Sequence, residues 1–90
     1  MKVEYRESFL KDIQKVKDPS LLPRIREAIA GAESSATIQS IPGIKKLKGG
    51  SKYFRLRIGD YRIGIVQESK VVVFVRVLHR REIYRYFPKR

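Results

Sequence analysis

The stretch YFRLRIGDYRIGIV, residues 53–66, leaves this chain few ways to fold. Phe54, Leu56 and Ile58 alternate with Tyr53, Arg55 and Arg57; after Gly59-Asp60, Tyr61, Ile63 and Ile65 alternate with Arg62, Gly64 and Val66. A period of two on both sides predicts two half-buried strands. Gly then Asp between them predicts a two-residue hairpin turn, whose first position needs the positive φ that glycine adopts freely. Such a turn dictates the pairing: Ile58 opposite Tyr61, Arg57 opposite Arg62, Arg55 opposite Gly64. That register gathers Phe54, Leu56, Ile58, Tyr61, Ile63 and Ile65 on one face and Tyr53, Arg55, Arg57 and Arg62 on the other.

The rest of the chain arranges itself around this hairpin. Val3 and Tyr5 alternate with charges, as in a short first strand, and Phe9, Leu10, Ile13 and Val16 recur at helical spacing over residues ~8–17. Asp18-Pro19 breaks that helix, and Ser20 is the expected N-cap of a second, with Pro23 in its tolerated first turn. Leu21, Leu22, Ile25, Ala28, Ile29 and Ala32 give its apolar face, and Glu33-Ser34-Ser35 ends it. Thr37 to Lys52 reads as a linker with buried anchors Ile38, Ile41, Ile44 and Leu47, interrupted by Pro42-Gly43 and Gly49-Gly50. Lys70 to Leu78 is a third strand, apolar enough to be central. A four-residue loop before it would set Val75 and His79 on the arginine face; a bulge would set Arg76 there instead. A short turn or helix then carries His79, Arg80, Arg81, Tyr84 and Arg85, with Tyr86 and Phe87 as packing residues.

The expected fold is α+β: a small antiparallel sheet with an N-terminal strand and a two-helix hairpin on one face, in the order β-α-α-β-β-β, and a short C-terminal helix or turn. Residues 1–90 make a single domain. Two helices cover only one side of such a sheet, so the arginine face is expected to be open.

Charge narrows the function. The formal net charge of +12 is lopsided: Met1 to Gly43 holds seven Lys/Arg against six Asp/Glu, whereas Ile44 to Arg90 holds fourteen against three. A basic excess crowded into one half repels itself and calls for a polyanionic partner. Nucleic acid is favoured over membrane because the cations lie in strand-like sequence and not along an amphipathic helix. The chain has no cysteine, which removes disulfides and thiolate metal sites and fits a reducing, cytoplasmic setting. The charged opening MKVEYRESF argues against a signal peptide.

Arg57 opposite Arg62 is the sharpest chemical clue. Like charges in a cross-strand pair cost up to roughly 1 kcal/mol, and a phosphate held between two guanidinium forks would offset that. The alternative is a pair of side chains leaning apart toward separate acceptors. Arg55 extends the patch, and Tyr53 is placed to stack a base. His79, the only histidine, suits proton transfer at neutral pH; Tyr84 is the other candidate, and arginine cannot serve as the base. One histidine, no cysteine and three acidic residues after position 43 argue against a zinc or two-metal site, and no nucleotide-binding loop or nucleophile elbow occurs. RNA cleavage by the 2′-hydroxyl needs none of these: the protein orients the attack, neutralises charge and manages two protons.

The strand, the two helices, the IPGIKKLKG linker, the YFRLRIGDYRI hairpin, the KVVVFV strand and the HRREIYR ending, in that order, resemble the RelE/ParE superfamily of toxins over nearly the whole chain. The resemblance implies a type II toxin neutralised by a co-encoded antitoxin. On the RelE branch it implies an mRNA endoribonuclease that works in the ribosomal A site without metal or cofactor and leaves a 2′,3′-cyclic phosphate. Arg62 then matches the arginine that contacts the scissile phosphate. Arg81, or alternatively Arg80, matches the one that stabilises the transition state, and Tyr84 the tyrosine near the 2′-hydroxyl. Arg55 and Arg57 stand where that branch has a lysine pair, and His79 fits a common GHR motif in which Leu78 replaces the glycine. The expected catalytic group is therefore Arg62, Arg81, Tyr84 and His79. Lys52, Tyr53, Arg55, Arg57, Arg80 and Arg85 form the expected RNA-binding surface. The rival reading is a ParE-like inhibitor of DNA gyrase with the same fold and no nuclease chemistry, and a third is an RNA-binding module without catalysis.

Overall fold

The computed structural model describes residues 1–88. Strand β1 (Lys2–Tyr5) leads into helix α1 (Glu7–Gln14) and helix α2 (Leu21–Ser34). A 3₁₀ turn (Ile38–Ser40) and a short strand β2 (Ile44–Lys46) follow, then β3 (Tyr53–Ile58), β4 (Tyr61–Glu68), β5 (Val71–His79) and helix α3 (Ile83–Tyr86). The five strands form one sheet in the order β1-β5-β4-β3-β2. The predicted α+β arrangement is borne out, with two refinements. β1 pairs parallel to β5, Lys2 with Val71 through Tyr5 with Phe74. The predicted linker also supplies an antiparallel edge strand, Ile44 with Leu56 through Lys46 with Phe54.

The hairpin register is the predicted one: Ile58 faces Tyr61, Arg57 faces Arg62 and Arg55 faces Gly64. Gly59 sits at φ +56°, and an added Cβ there would come within 2.7 Å of the Arg24 guanidinium. Beyond it, β4 and β5 pair across a tight Ser69-Lys70 turn, and a bulge between Gly64 and Ile65 leaves Val75 without a partner. The bulge resolves the two registers left open by the sequence. Phe74 and Val77 both reach the helix-covered core, although they are three residues apart.

That core comprises Phe9, Leu21, Ile25, Ala32, Ile38, Ile41, Phe54, Leu56, Ile58, Ile63, Ile65, Val72, Phe74 and Val77. Full burial of each large side chain contributes about 1.5–3 kcal/mol. The helices differ in detail from expectation. α1 stops at Gln14, although Val16 still packs on the core. Ser20 precedes α2 but is itself helical and caps nothing with its side chain. Instead the Asp18 carboxylate accepts from the Ser20 N–H (2.9 Å) and hydroxyl (2.7 Å). At the other end of α2, the Met1 ammonium donates to the carbonyls of Ala32 (3.2 Å), Glu33 (2.8 Å) and Ser35 (2.7 Å). The ammonium thereby closes the C-terminal end of α2, where intrahelical donors run out, and a cation there also suits the helix dipole. Among the described residues no helix is long and apolar enough to cross a membrane.

The second face of the sheet is not open, as the sequence had suggested. Ile83 and Phe87 fold back over it and form a second apolar cluster with Val66 and Val73, flanked by Leu47, Tyr53, Val71, Val75 and Leu78. Phe87 lies directly on Gly64, where an added Cβ would stand 2.6 Å from the ring. The arginines are left with one end of this face.

Candidate nucleic-acid interface

The uncovered end lies at the Gly59-Asp60 turn, and the tail is tied to it. The Arg80 N–H donates to the Asp60 carbonyl at 2.7 Å, which brings the start of the tail against the hairpin tip. Arg62 is the centre of the site. It is only 8 % exposed, and its Nη1 donates to the carbonyls of Gly59 and Tyr61, both at 2.9 Å. These bonds fold the side chain against the turn and hold one edge of the guanidinium, leaving its other donors uncommitted.

Burial, followed by the charges of Arg57 and Arg55, pulls the Arg62 guanidinium below its ordinary value. Arg80 acts in the same direction, and the Tyr84 phenol opposes them. Arginine does not surrender its proton under these conditions. Burial and like charge thus both disfavour the cation there, and an anion in the site would offset them. The ion pairs among the described residues join Arg6 to Glu68, Lys11 to Glu7 and Arg76 to Asp12, and none involves Arg55, Arg57, Arg62 or Arg80. Arg55, Arg57 and Arg80 thus all act on Arg62 with none of the four in an ion pair among the described residues, and Tyr84, 57 % exposed, acts on it too.

The remaining candidates are distributed unevenly. Tyr53 meets Phe87 edge-on at 6.0 Å, with the Lys52 ammonium 5.7 Å from its ring centre, so the tail already occupies part of its surface. Arg81 and Arg85 are exposed. The Arg81 N–H donates to His79 Nδ1 at 3.2 Å, which leaves Nε2 as the protonated nitrogen of a neutral ring. His79 itself is on the other side of the sheet. It pairs with Tyr61, packs edge-on against that ring at 5.6 Å, and lines a groove with Asp12, Lys15, Val16 and Glu82. The structure thus joins Arg55, Arg57, Arg62, Arg80 and Tyr84, and sets His79 apart from them.

Two basic residues escaped the sequence reading. Lys45 faces Arg55 across β2 and β3 and extends the cationic row, but its strand was hidden in a segment interrupted by glycine and proline. Arg24 reaches from α2 over Gly59 to the hairpin tip. A helical periodicity centred on apolar residues gives no hint of that reach.

The family model of the ParE toxin of type II toxin–antitoxin systems, parDE, matches residues 3–84. The chain belongs to the RelE/ParE superfamily of toxins. Toxin RelE3 of Methanocaldococcus jannaschii is 40% identical over 89 residues, covering 98% of this chain and 100% of that protein. The toxin in a RelB–RelE antitoxin–toxin complex from Methanococcus jannaschii superposes with a TM-score of 0.79 at 38% identity, covering 94% of this chain and 99% of that one. The RelBE2 toxin–antitoxin complex of Mycobacterium tuberculosis gives a TM-score of 0.68 at 25% identity, over 87% and 95% of the two chains. For this RelE/ParE toxin, the similarity spans the β1-to-α3 framework that carries Arg62 and Tyr84.

Proposed function

We propose that this toxin is an endoribonuclease that cleaves mRNA, with the ribosome presenting the substrate. The observation that carries this reading is the buried Arg62 guanidinium, crowded by Arg55, Arg57 and Arg80 and accompanied by the exposed Tyr84 phenol. Such a site accepts a phosphodiester and gains most when negative charge builds on the phosphoryl oxygens. Arg62 and Arg57 hold the scissile phosphate. The 2′-hydroxyl oxygen bonds to phosphorus while Tyr84 relays its proton to solvent water, the P–O5′ bond breaks, and the 5′-oxygen takes a proton from solvent water. The stabilising arginine of the tail is Arg81 or Arg80, of which Arg80 lies within electrostatic reach of Arg62. Lys52, Tyr53 and Arg85 extend RNA contact along the tail, and His79 is assigned to holding the Arg81 backbone rather than to proton transfer. No group of three or more His, Cys, Asp or Glu among the described residues is arranged to hold a metal.

A cognate antitoxin is the expected neutralising partner, as in the RelB–RelE complex of Methanococcus jannaschii. Charge complementarity calls for an acidic, partly disordered segment over the guanidinium cluster. A partner docked on the helices alone, leaving Arg57 and Arg62 uncovered, contradicts occlusion of the site.

The match to the ParE family model favours a second reading, inhibition of DNA gyrase by binding alone. One experiment separates the two. Toxin added to ribosomes programmed with mRNA is expected to yield fragments with 2′,3′-cyclic phosphate and 5′-hydroxyl ends and to leave gyrase supercoiling unaffected. Intact mRNA together with blocked gyrase transfers the assignment to the second reading.

A further inference from the structure

Arg76 occupies an unusual point of the sheet. It follows the unpaired Val75 and faces Gly64 on the half of β5 that β1 does not cover. Helix α1 runs along that free edge and satisfies it with side chains. The Ser8 hydroxyl donates to the Val75 carbonyl at 2.6 Å, and Asp12 Oδ2 accepts from the Val77 N–H at 3.0 Å. Asp12, 6 % exposed, also grips the Arg76 guanidinium with both oxygens, from Nε at 2.7 Å and Nη2 at 3.0 Å. The guanidinium in turn lies over the Tyr86 ring, 5.1 Å from its centre. A carboxylate on the first helix is thereby joined through one planar cation to the last helix.

That last helix is a single turn and has little to hold it. Ile83 within it and Phe87 at its extended C-cap anchor it on the sheet, the Phe87 N–H bonding the Ile83 carbonyl at 2.8 Å. Two apolar anchors fix where the turn sits, but its rotation is set by the contacts on its flanks. At about 100° per residue, Tyr84 and Tyr86 project from opposite flanks of the turn. On one flank Tyr86 meets Arg76; on the other Tyr84 stands beside Arg62. Turning α3 so that Tyr86 lifts off Arg76 swings Tyr84 relative to the phosphate site.

We propose that the Asp12–Arg76–Tyr86 stack is a positioning device that sets the rotation of α3 and so places the Tyr84 hydroxyl beside Arg62. The proposal rests on reading Arg62 and Tyr84 as the RNA-cleaving pair. Asp12, Arg76 and Tyr86 are positioning residues and touch no substrate. Arg76 holds its charge more firmly than usual because Asp12 hydrogen-bonds it, so it presents a permanent cation to the Tyr86 ring.

The test uses Tyr86→Leu, which keeps apolar bulk at an exposed position, and Tyr86→Phe, which keeps the π face. Each is made in protein carrying 3-fluorotyrosine at position 84 only. With Tyr86→Leu, kcat for RNA cleavage is expected to fall about tenfold at unchanged KM, since ångström-scale misplacement costs up to ~10²-fold, and the fluorine resonance of residue 84 to move. Tyr86→Phe should restore both. The proposal is overturned if Tyr86→Leu keeps the wild-type kcat, or loses activity while the resonance stays fixed. If the wild-type protein cuts no RNA, the nuclease reading fails and the resonance alone decides: movement upholds positioning, and a fixed signal ends it.

Discussion

The two faces of the sheet are covered by different means. The helix side carries one continuous apolar core, built from segments as distant as Phe9 and Val77, and the one buried charge beside it, Asp12, is paired with Arg76. The other side is split into a small plug of Val66, Val73, Ile83 and Phe87 and a cationic end whose arginines have no ion-pair partner among the described residues. The first face holds the molecule together. The second stores unrelieved repulsion, and a tail of a few residues is all that limits its exposure. Stability and function are therefore expected to separate by face.

Phe74→Ala should produce the largest effect. It opens a cavity in the helix-side core where Phe74 is 0% exposed, at a cost of about 3–5 kcal/mol. That is much of the total stability of a small domain, and urea denaturation monitored by circular dichroism measures it. Arg62→Ala comes next and should act in the opposite pattern: the fold persists while RNA cleavage falls on the order of 10²-fold or more. If Arg62→Ala merely unfolds the protein at a cost like that of Phe74→Ala, the division of labour between the faces collapses.

Gly64→Ala sharpens the contrast within the second face. A methyl group 2.6 Å from Phe87 must displace that ring, at about 1–3 kcal/mol by analogy with overpacking. Hydrogen exchange should accelerate in α3 and stay protected in β5 and α2. Arg57→Gln is expected to do something the core never permits, raising Tm slightly while weakening RNA binding, because it removes a repelling neighbour of Arg62. A lowered Tm would mean the cations are not in conflict.

The smallest effect concerns the turn before α2. The Ser20 hydroxyl and then its N–H hold the Asp18 carboxyl below its usual range. The folded value lies below the unfolded one, so the stabilisation is present above the ordinary carboxylate range and is lost as pH falls through the folded value. Asp18→Ala should therefore lower Tm slightly at neutral pH, and the difference from wild type should vanish in acid.

What the sequence disclosed follows the range of the interactions involved. The β3–β4 register was legible because its turn has two residues and both strands alternate. The β5 register was not, because Val71 to Val75 is apolar at every position and has no phase to read. The bulge at Val75 then carried His79 to the helix side, which only the pairing with Tyr61 reveals. β2 was missed because three residues between a Pro-Gly and a Gly-Gly carry no periodicity. The guanidinium pair Arg57/Arg62 was visible as a register consequence. The tail over Gly64 was not, since nothing local says which side of a sheet Ile83 and Phe87 will choose. Asp12 looked like an ordinary polar position of α1, and its partner Arg76 lies 64 residues away.

The parallel pairing of β1 with β5 has a consequence for how the toxin comes into being. Lys2–Tyr5 leaves the ribosome well before its sheet partner Val71–Phe74. Translation proceeds at roughly 5–20 residues per second, and domains form as their parts emerge. The sheet therefore cannot be completed until β5 has emerged from the exit tunnel, and α3 with Tyr84 follows later still. A nascent chain whose α3 has not yet been released therefore lacks the Arg62–Tyr84 pair proposed as the cleavage site.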